Sequence, residues 1–206
     1  MARKAAPGPD DELRRIGALI DTIGIGMLAT RAADGAWVSR PVAPMPGEGG
    51  FNGTLWVFTS KASHKASEIR AHPRVNLAMA SPRDNAFVSL SGQAQVRRAG
   101  RRIAALWTPA QRIWFPGGPD DPDLTLLRLD VETAEYWDGP TSWAGKALRF
   151  AVAAATRNPD ATGSNRTVRI ERQSRGDHAM ARVVRGNTRG DAARAETAGA
   201  RRRARK

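Results

Sequence analysis

The chain has no cysteine in its 206 residues, which excludes disulfides, iron–sulfur clusters and thiolate zinc sites. Histidine is scarce: His64, His72 and His178 are spread along the sequence, so a histidine-based metal centre is not expected either. No apolar run is long enough to span a bilayer, so no membrane association is expected. Walker-type phosphate loops, G-x-S-x-G elbows and dinucleotide fingerprints are missing. A pair of carboxylates for sugar cleavage is not legible, because Asp120, Asp121 and Asp123 crowd a Pro/Gly-rich loop where capping or solvation suits them better.

Positive charge is plentiful. The formal net charge is +13, and residues 171–206 alone hold 11 Lys/Arg against 4 Asp/Glu. That tail is Arg, Ala and Gly with almost no large apolar side chain, so it cannot bury enough surface to offset the entropy of ordering, and disorder is expected. It could bind nucleic acid non-specifically through phosphate contacts, but no aromatic residue interleaves its charges, and a solvated extension is the preferred reading. The N-terminal residues 1–9 are also expected to be disordered. Asp10, Asp11 and Glu12 sit where a secretion leader would be positive and Asp21 interrupts the apolar part, so a cytoplasmic location is expected.

Between these ends the hydrophobic period alternates between helix and strand. Residues 10–23 have acidic residues first, then Leu13, Ile16, Leu19, Ile20 and Ile23 at helical spacing, with Gly24 and Gly26 to close the helix. Strands 27–31 and 36–43 flank Asp34-Gly35, a hairpin signal, and 45–53 reads as a flexible connection. A strand at 54–60 leads into a helix beginning near Ser60 or Ser63 that buries Ala62, Ala66 and Ile69. Strands at 74–80 and 85–96 follow, the second with Val88, Leu90, Ala94 and Val96 on one face and Gly92 at a bulge, bend or close approach. Residues 100–114 look helical, 115–123 form a loop, 125–131 and 133–138 are strands, 146–156 suit a helix, and a last short strand lies near residue 170. Connections this short favour an antiparallel barrel over a doubly wound parallel sheet, with the domain covering residues 10–170.

The stretch TLWVFTSKASHKASEIRAHPRV (54–75) carries the chemistry. Thr59 and Ser60 end a strand, and Lys61, His64 and Lys65 crowd the start of a helix, where partial positive charge already resides. Placing cations there makes sense if an anion occupies the spot. Arg40 offers a fork of donors, Lys65 a compact charge, and Thr59 and Ser63 hydroxyls, which together suit a phosphate monoester. Six tryptophans against one tyrosine add flat surfaces: some belong to the core, and one or two could wall a planar ligand.

The order of motifs is similar to that of the pyridoxamine 5'-phosphate oxidase-like split-barrel flavoproteins: a strand ending R-P (40–41), LWVFTS, S-H-K-A-S-E-I-R-A-H-P-R-V, then VSLSGQAQV. W-T-P (107–109), W-F-P-G-G-P-D-D-P-D-L (114–124) and A-E-Y-W-D (134–138) resemble the general stress protein 26 branch. The resemblance implies an α+β chain, mainly β with short helices, folded as an antiparallel split β-barrel. It also implies a homodimer with FMN at the subunit interface. By position, Arg40, Pro41, Val42 and Ala43 would flank the flavin, with Arg40 on its phosphate; Phe58, Thr59, Ser63, His64 and Lys65 would complete the phosphate end. Trp137 matches an aromatic that approaches the cofactor from the partner subunit.

Departures from the pattern narrow the activity. His64 stands where the family carries arginine, and an imidazole is a weaker anion ligand, so the resemblance implies lower or pH-dependent phosphate affinity. No R-L-H-D-R signature follows Trp137, Met45 occupies the position of the substrate-phosphate lysine, and Phe87 replaces a glutamine near the flavin ring. The expectation is an FMN-dependent oxidoreductase of the general stress type, exchanging electrons with a small-molecule donor or acceptor, and not a vitamin B6 oxidase. The deazaflavin F420 is the alternative cofactor and nucleic-acid association through the tail the alternative role.

Overall fold

A computed structural model describes residues 8–138, 164–172 and 181–185. The expected helix at 146–156, Trp143, residues 1–7 and most of the tail lie outside the described residues.

Helix α1 (Pro9–Ile23) starts where Asp11 accepts the Gly8 N–H at 3.0 Å, and acidic residues at Asp10, Asp11 and Glu12 meet the positive end of the helix. It ends at Gly24, whose φ of 75° only glycine adopts readily. Leu13, Ile16, Leu19 and Ile20 form its buried stripe. Gly17 on that face brings the helix backbone against the sheet, since a Cβ there would stand 3.1 Å from Cβ of Phe51.

Among the described residues nine strands follow: β1 (Gly26–Arg31), β2 (Trp37–Val42), β3 (Met45–Gly47), β4 (Gly50–Ser60), β5 (Arg74–Ser81), β6 (Ala86–Arg97), β7 (Leu124–Asp138), β8 (Ser164–Arg172) and β9 (Ala181–Arg185). Helix α2 (His64–Ala71) joins β4 to β5, and α3 (Gly100–Leu106) follows β6. The lateral order is β2-β1-β5-β6-β7-β4-β3, with β8 beside the far half of β7 and β9 beside β8, and every pairing is antiparallel. The sheet curls around a core that includes Leu28, Leu55, Leu77, Leu90 and Leu127, all essentially inaccessible, but it does not close. That open antiparallel arrangement is a split barrel.

The hairpin at Asp34-Gly35 forms as expected: Gly35 has φ 86°, and Asp34 accepts the Ala36 N–H at 2.9 Å. Val88, Leu90 and Ala94 of β6 face the core, as their alternation requires. Gly92 marks a bulge. Ser91 pairs with Thr133 and Gly92 with Val131, which leaves Glu132 as the additional residue of β7.

Elsewhere the structure corrects the sequence reading. Residues 45–53 are a tight hairpin of β3 and β4 rather than a flexible connection, turned through Glu48-Gly49, with Gly49 and the following Gly50 at φ 84° and 91°. The helix expected over 100–114 stops at Leu106, because Pro109 cannot continue it, and a 3-10 segment (Pro109–Ile113) takes over. Residues 125–131 and 133–138 are one strand, and the bulge absorbs the break in alternation. Ala62 precedes α2 and is exposed, while Ala66 and Ile69 are buried. The strand β9 lies inside the stretch expected to be disordered: the ladder of β8 offers unpaired backbone groups to which Ala181–Arg185, with adjacent β-branched Val183 and Val184, bonds.

Gly92 is the tightest point of the sheet, since a Cβ there would lie 2.0 Å from the Asp130 carbonyl oxygen. We expect Gly92→Ala to cost about 3 kcal/mol or more, or to prevent folding, measured as the shift in the urea unfolding midpoint.

Candidate functional site

The end of β4 runs directly into the cap of α2, and hydroxyls join the two. Ser63 is the N-cap; its Oγ donates to the Ser60 carbonyl at 2.8 Å and accepts the Ala66 N–H at 3.3 Å. Because that hydroxyl proton is spent on Ser60, Thr59 is the donor in the 3.0 Å contact between Thr59 Oγ1 and Ser63 Oγ. Thr59 is itself buried. The first turn of α2 contains no acidic residue, so the positive end of the helix is met by His64 and Lys65 instead of by a carboxylate. The N–H groups of these two residues have no acceptor within the helix.

A cleft of about 530 Å³ opens beside this cap. Pro41, Val42 and Ala43 line one wall, Val57, Phe58, Thr59 and Ser60 another, Ser63 and Lys65 the head, and Gln111, Trp114 and Phe115 the remaining side. Pro41 and Val42 belong to β2, at one end of the strand order, and Met45 and the Val57–Ser60 wall to β3 and β4, the last two strands at the other end. The cleft is therefore the gap in the barrel, where its two edges face each other.

Lys65 is the informative group. Burial lowers its pKa below the ordinary 10.5, the nearby Arg40 charge lowers it further, and Glu68 offsets part of this. Among the described residues its ammonium has neither a hydrogen-bond partner nor a carboxylate in salt-bridge range. The charge of Glu68 is engaged elsewhere. Arg40 donates to it from Nη1 at 2.7 Å and Nη2 at 3.3 Å, and Thr30 Oγ1 donates to it at 2.6 Å. The Arg40 hydrogen bonds come first in holding the Glu68 carboxyl below its ordinary 4.5, with burial opposing them. This network ties α2 to β1 through Thr30 and to β2 through Arg40.

Of the residues singled out from sequence, Pro41, Val42, Ala43, Phe58, Thr59, Ser63 and Lys65 share the cleft. Arg40 is not among the lining residues and is locked to Glu68, with three of its five N–H donors uncommitted among the described residues. His64 is exposed and outside the lining residues. Trp137 lies opposite Phe87 on β6 and Asn165 on β8, away from the cleft of its own chain, and is 37% exposed. Sequence reasoning passed over Gln111, Trp114 and Phe115 as lining residues, although WFPGG was recognised as a distinctive motif. Phe115 is buried with Trp56, Ile103, Leu124 and Leu126 in a small second core, while the neighbouring Trp114 stays 70% exposed at the rim. Trp56 is core, flanked by the guanidinium groups of Arg102 and Arg128 at 5.3 and 5.9 Å.

The chain belongs to the family described as pyridoxamine 5'-phosphate oxidase like, whose model matches residues 11–160. General stress protein 26 of Bacillus subtilis (strain 168) is 30% identical over 82 residues, covering 38% of this chain and only 58% of that relative. The general stress FMN/FAD binding protein of the phytopathogen Xanthomonas citri is 30% identical, with a TM-score of 0.56 over 63% of this chain and 90% of that one. A protein related to general stress protein 26 from Clostridium acetobutylicum shares the fold, with 21% identity and a TM-score of 0.53 over 61% of this chain and 87% of that one. Among the described residues no helix is long and apolar enough to cross a membrane, and no cluster of His, Asp or Glu could hold a metal ion.

Two measurements test the electrostatics. A lysine whose pKa falls on folding opposes the folded state while it is charged, and that penalty lifts as pH rises through its lowered pKa towards 10.5. Lys65→Met should therefore raise the melting temperature at neutral pH slightly, by about 1–2 °C, by scanning calorimetry of the ligand-free protein. Glu68 has the opposite sign: its depressed pKa contributes stability in full above 4.5, lost as pH falls through the lowered value. Glu68→Gln should cost about 1–3 kcal/mol at neutral pH, and the gap to wild type should narrow in urea titrations at about pH 3.

Proposed function

We propose that the chain is a flavoprotein that holds FMN in this cleft and acts as a flavin-dependent oxidoreductase. The observation that carries the reading is Lys65: a half-buried ammonium without an anionic partner, at the head of a largely apolar gap, beside the open N–H groups of α2. A phosphate there would meet the ammonium, the helix N–H groups and, after rotation, the Thr59 and Ser63 hydroxyls. Arg40 would reinforce the potential from outside the lining or reach the phosphate with its uncommitted donors. The volume of about 530 Å³ falls in the range of small-ligand sites. The flavin described for the Xanthomonas citri relative supports the ligand class.

When bound, the flavin would supply the redox chemistry; the protein's part is to anchor, to stack and to control access. Val42, Ala43, Val57 and Phe58 offer an apolar bed, and Trp114 a flat rim. Lys65 and Asp123 are the ionisable side chains among the described lining residues. With Lys65 assigned to the phosphate, no proton-transfer role is assigned to Asp123, and the electron donor or acceptor would be a small molecule.

We further propose a homodimer in which Trp137 reaches the cleft of the second copy, in a cytoplasmic setting. Exposed Met27, Trp37, Val38 and Trp137 support an apolar contact surface. The role rests on the flavin in either case.

The test is the visible spectrum of the purified protein, followed by titration with FMN and riboflavin. FMN should bind at least about 100-fold more tightly than riboflavin, and Lys65→Met should remove most of that difference. Equal affinity for the two flavins, or no flavin binding, would overturn the assignment.

A further inference from the structure

A second pocket, with basic residues at its rim, includes Leu124 and Thr125, the residues of β7 that pair with Ser60 and Thr59 of β4. It encloses about 310 Å³ and is lined by Lys61, Arg70 and Arg98 over an apolar and hydroxyl floor of Val96, Leu124 and Thr125. Lys61 Nζ and Arg98 Nη1 each donate to the same acceptor, the Pro122 carbonyl, at 3.0 Å. The two charged nitrogens can therefore be no further apart than twice that distance. Arg70 Nη2 donates to the carbonyl oxygen of Lys61 at 3.2 Å, which brings the third cation to the same rim.

Neutral carbonyls hold these groups in place but cancel none of their charge. Among the described residues none of the three has a carboxylate in salt-bridge range; the adjacent Asp121 carboxylate accepts the Asp123 N–H, and Asp123 lines the cleft instead. The pocket keeps its cations together through the fold itself: Lys61 N–H donates to the Asp123 carbonyl at 2.8 Å, and Arg98 directly follows β6.

We propose that this pocket is a binding site for the phosphoryl group of a small phosphomonoester, separate from the flavin cleft and independent of its assignment. A phosphoryl dianion accepts several charge-assisted hydrogen bonds at once and matches converging guanidinium and ammonium groups better than a single carboxylate does. The floor of Val96, Leu124 and Thr125 gives a compact apolar body somewhere to rest.

The experiment is a calorimetric titration of the full chain with phenyl phosphate, inorganic phosphate, and sodium chloride at matched ionic strength. It is run on wild type, on Lys65→Met, and on Arg98→Gln and Arg70→Gln each added to Lys65→Met, with circular dichroism to confirm folding. Lys65→Met weakens phosphate binding in the cleft and isolates the second pocket. Saturable phenyl phosphate binding should persist in Lys65→Met and weaken about tenfold or more in each arginine variant. Tighter binding of phenyl phosphate than of inorganic phosphate assigns an organic phosphate, and equal binding the free anion; either supports the site. Loss in Lys65→Met, affinities unchanged in both arginine variants, or the same response to chloride would overturn it.

Discussion

The carboxylate of Glu68 is the constraint on which the site depends. It projects from α2, accepts two bonds from Arg40 of β2 and one from Thr30 of β1, and so fixes a short helix against two strands. A helix of eight residues has little stability of its own, and its position comes from what it touches. Ala66 and Ile69 supply the apolar contact, and Glu68 supplies direction. The same bonds keep the Arg40 and Lys65 charges near each other without letting Glu68 neutralise Lys65. One carboxylate thus holds the element that presents the cation and leaves that cation available.

This arrangement sets local stability against binding. A cation at a helix start, half buried and beside another cation, is unfavourable in the free protein and becomes favourable when an anion arrives. Such local costs tend to gather at binding sites, where the surrounding structure over-determines the geometry. Here the over-determination is concrete. The Ser63 cap, the Thr59 hydroxyl and the β4–β7 ladder hold the end of the strand from three sides.

Much of this was legible in the sequence, for reasons that differ by element. The stripe of α1, the Asp34-Gly35 hairpin and the alternation of β6 are local patterns, and local patterns survive folding. Gly92 was read as a bulge, a bend or a close approach, and the register shift and the Asp130 carbonyl supply the first and the last. The meeting of Pro41–Ala43 with Phe58–Lys65 followed from their chemistry and from the family resemblance. The engagement of Arg40 by Glu68 did not, because the residues are 28 apart and nothing local links a strand arginine to a helix glutamate. Gln111 and Trp114 were missed for a related reason: Pro109 turns the expected helix into a 3-10 segment, and this places them at the cleft wall. The strand β9 escaped notice because composition weighs side chains, whereas an open sheet edge recruits backbone.

The gap in the barrel also has a mechanical character. Among the described residues no ladder joins β2 to β3 or β4, so no sheet hydrogen bond holds these edges together. Yet β2 and β3 are consecutive in the chain and are joined only through Ala43 and Pro44, the latter buried. The seam is joined by the chain at that end and tied at the helix by the Arg40–Glu68 bonds; between these points no strand pairing crosses it among the described residues. The width of the gap is therefore set by the chain at Pro44 and by the Arg40–Glu68 bonds, with no sheet hydrogen bond contributing.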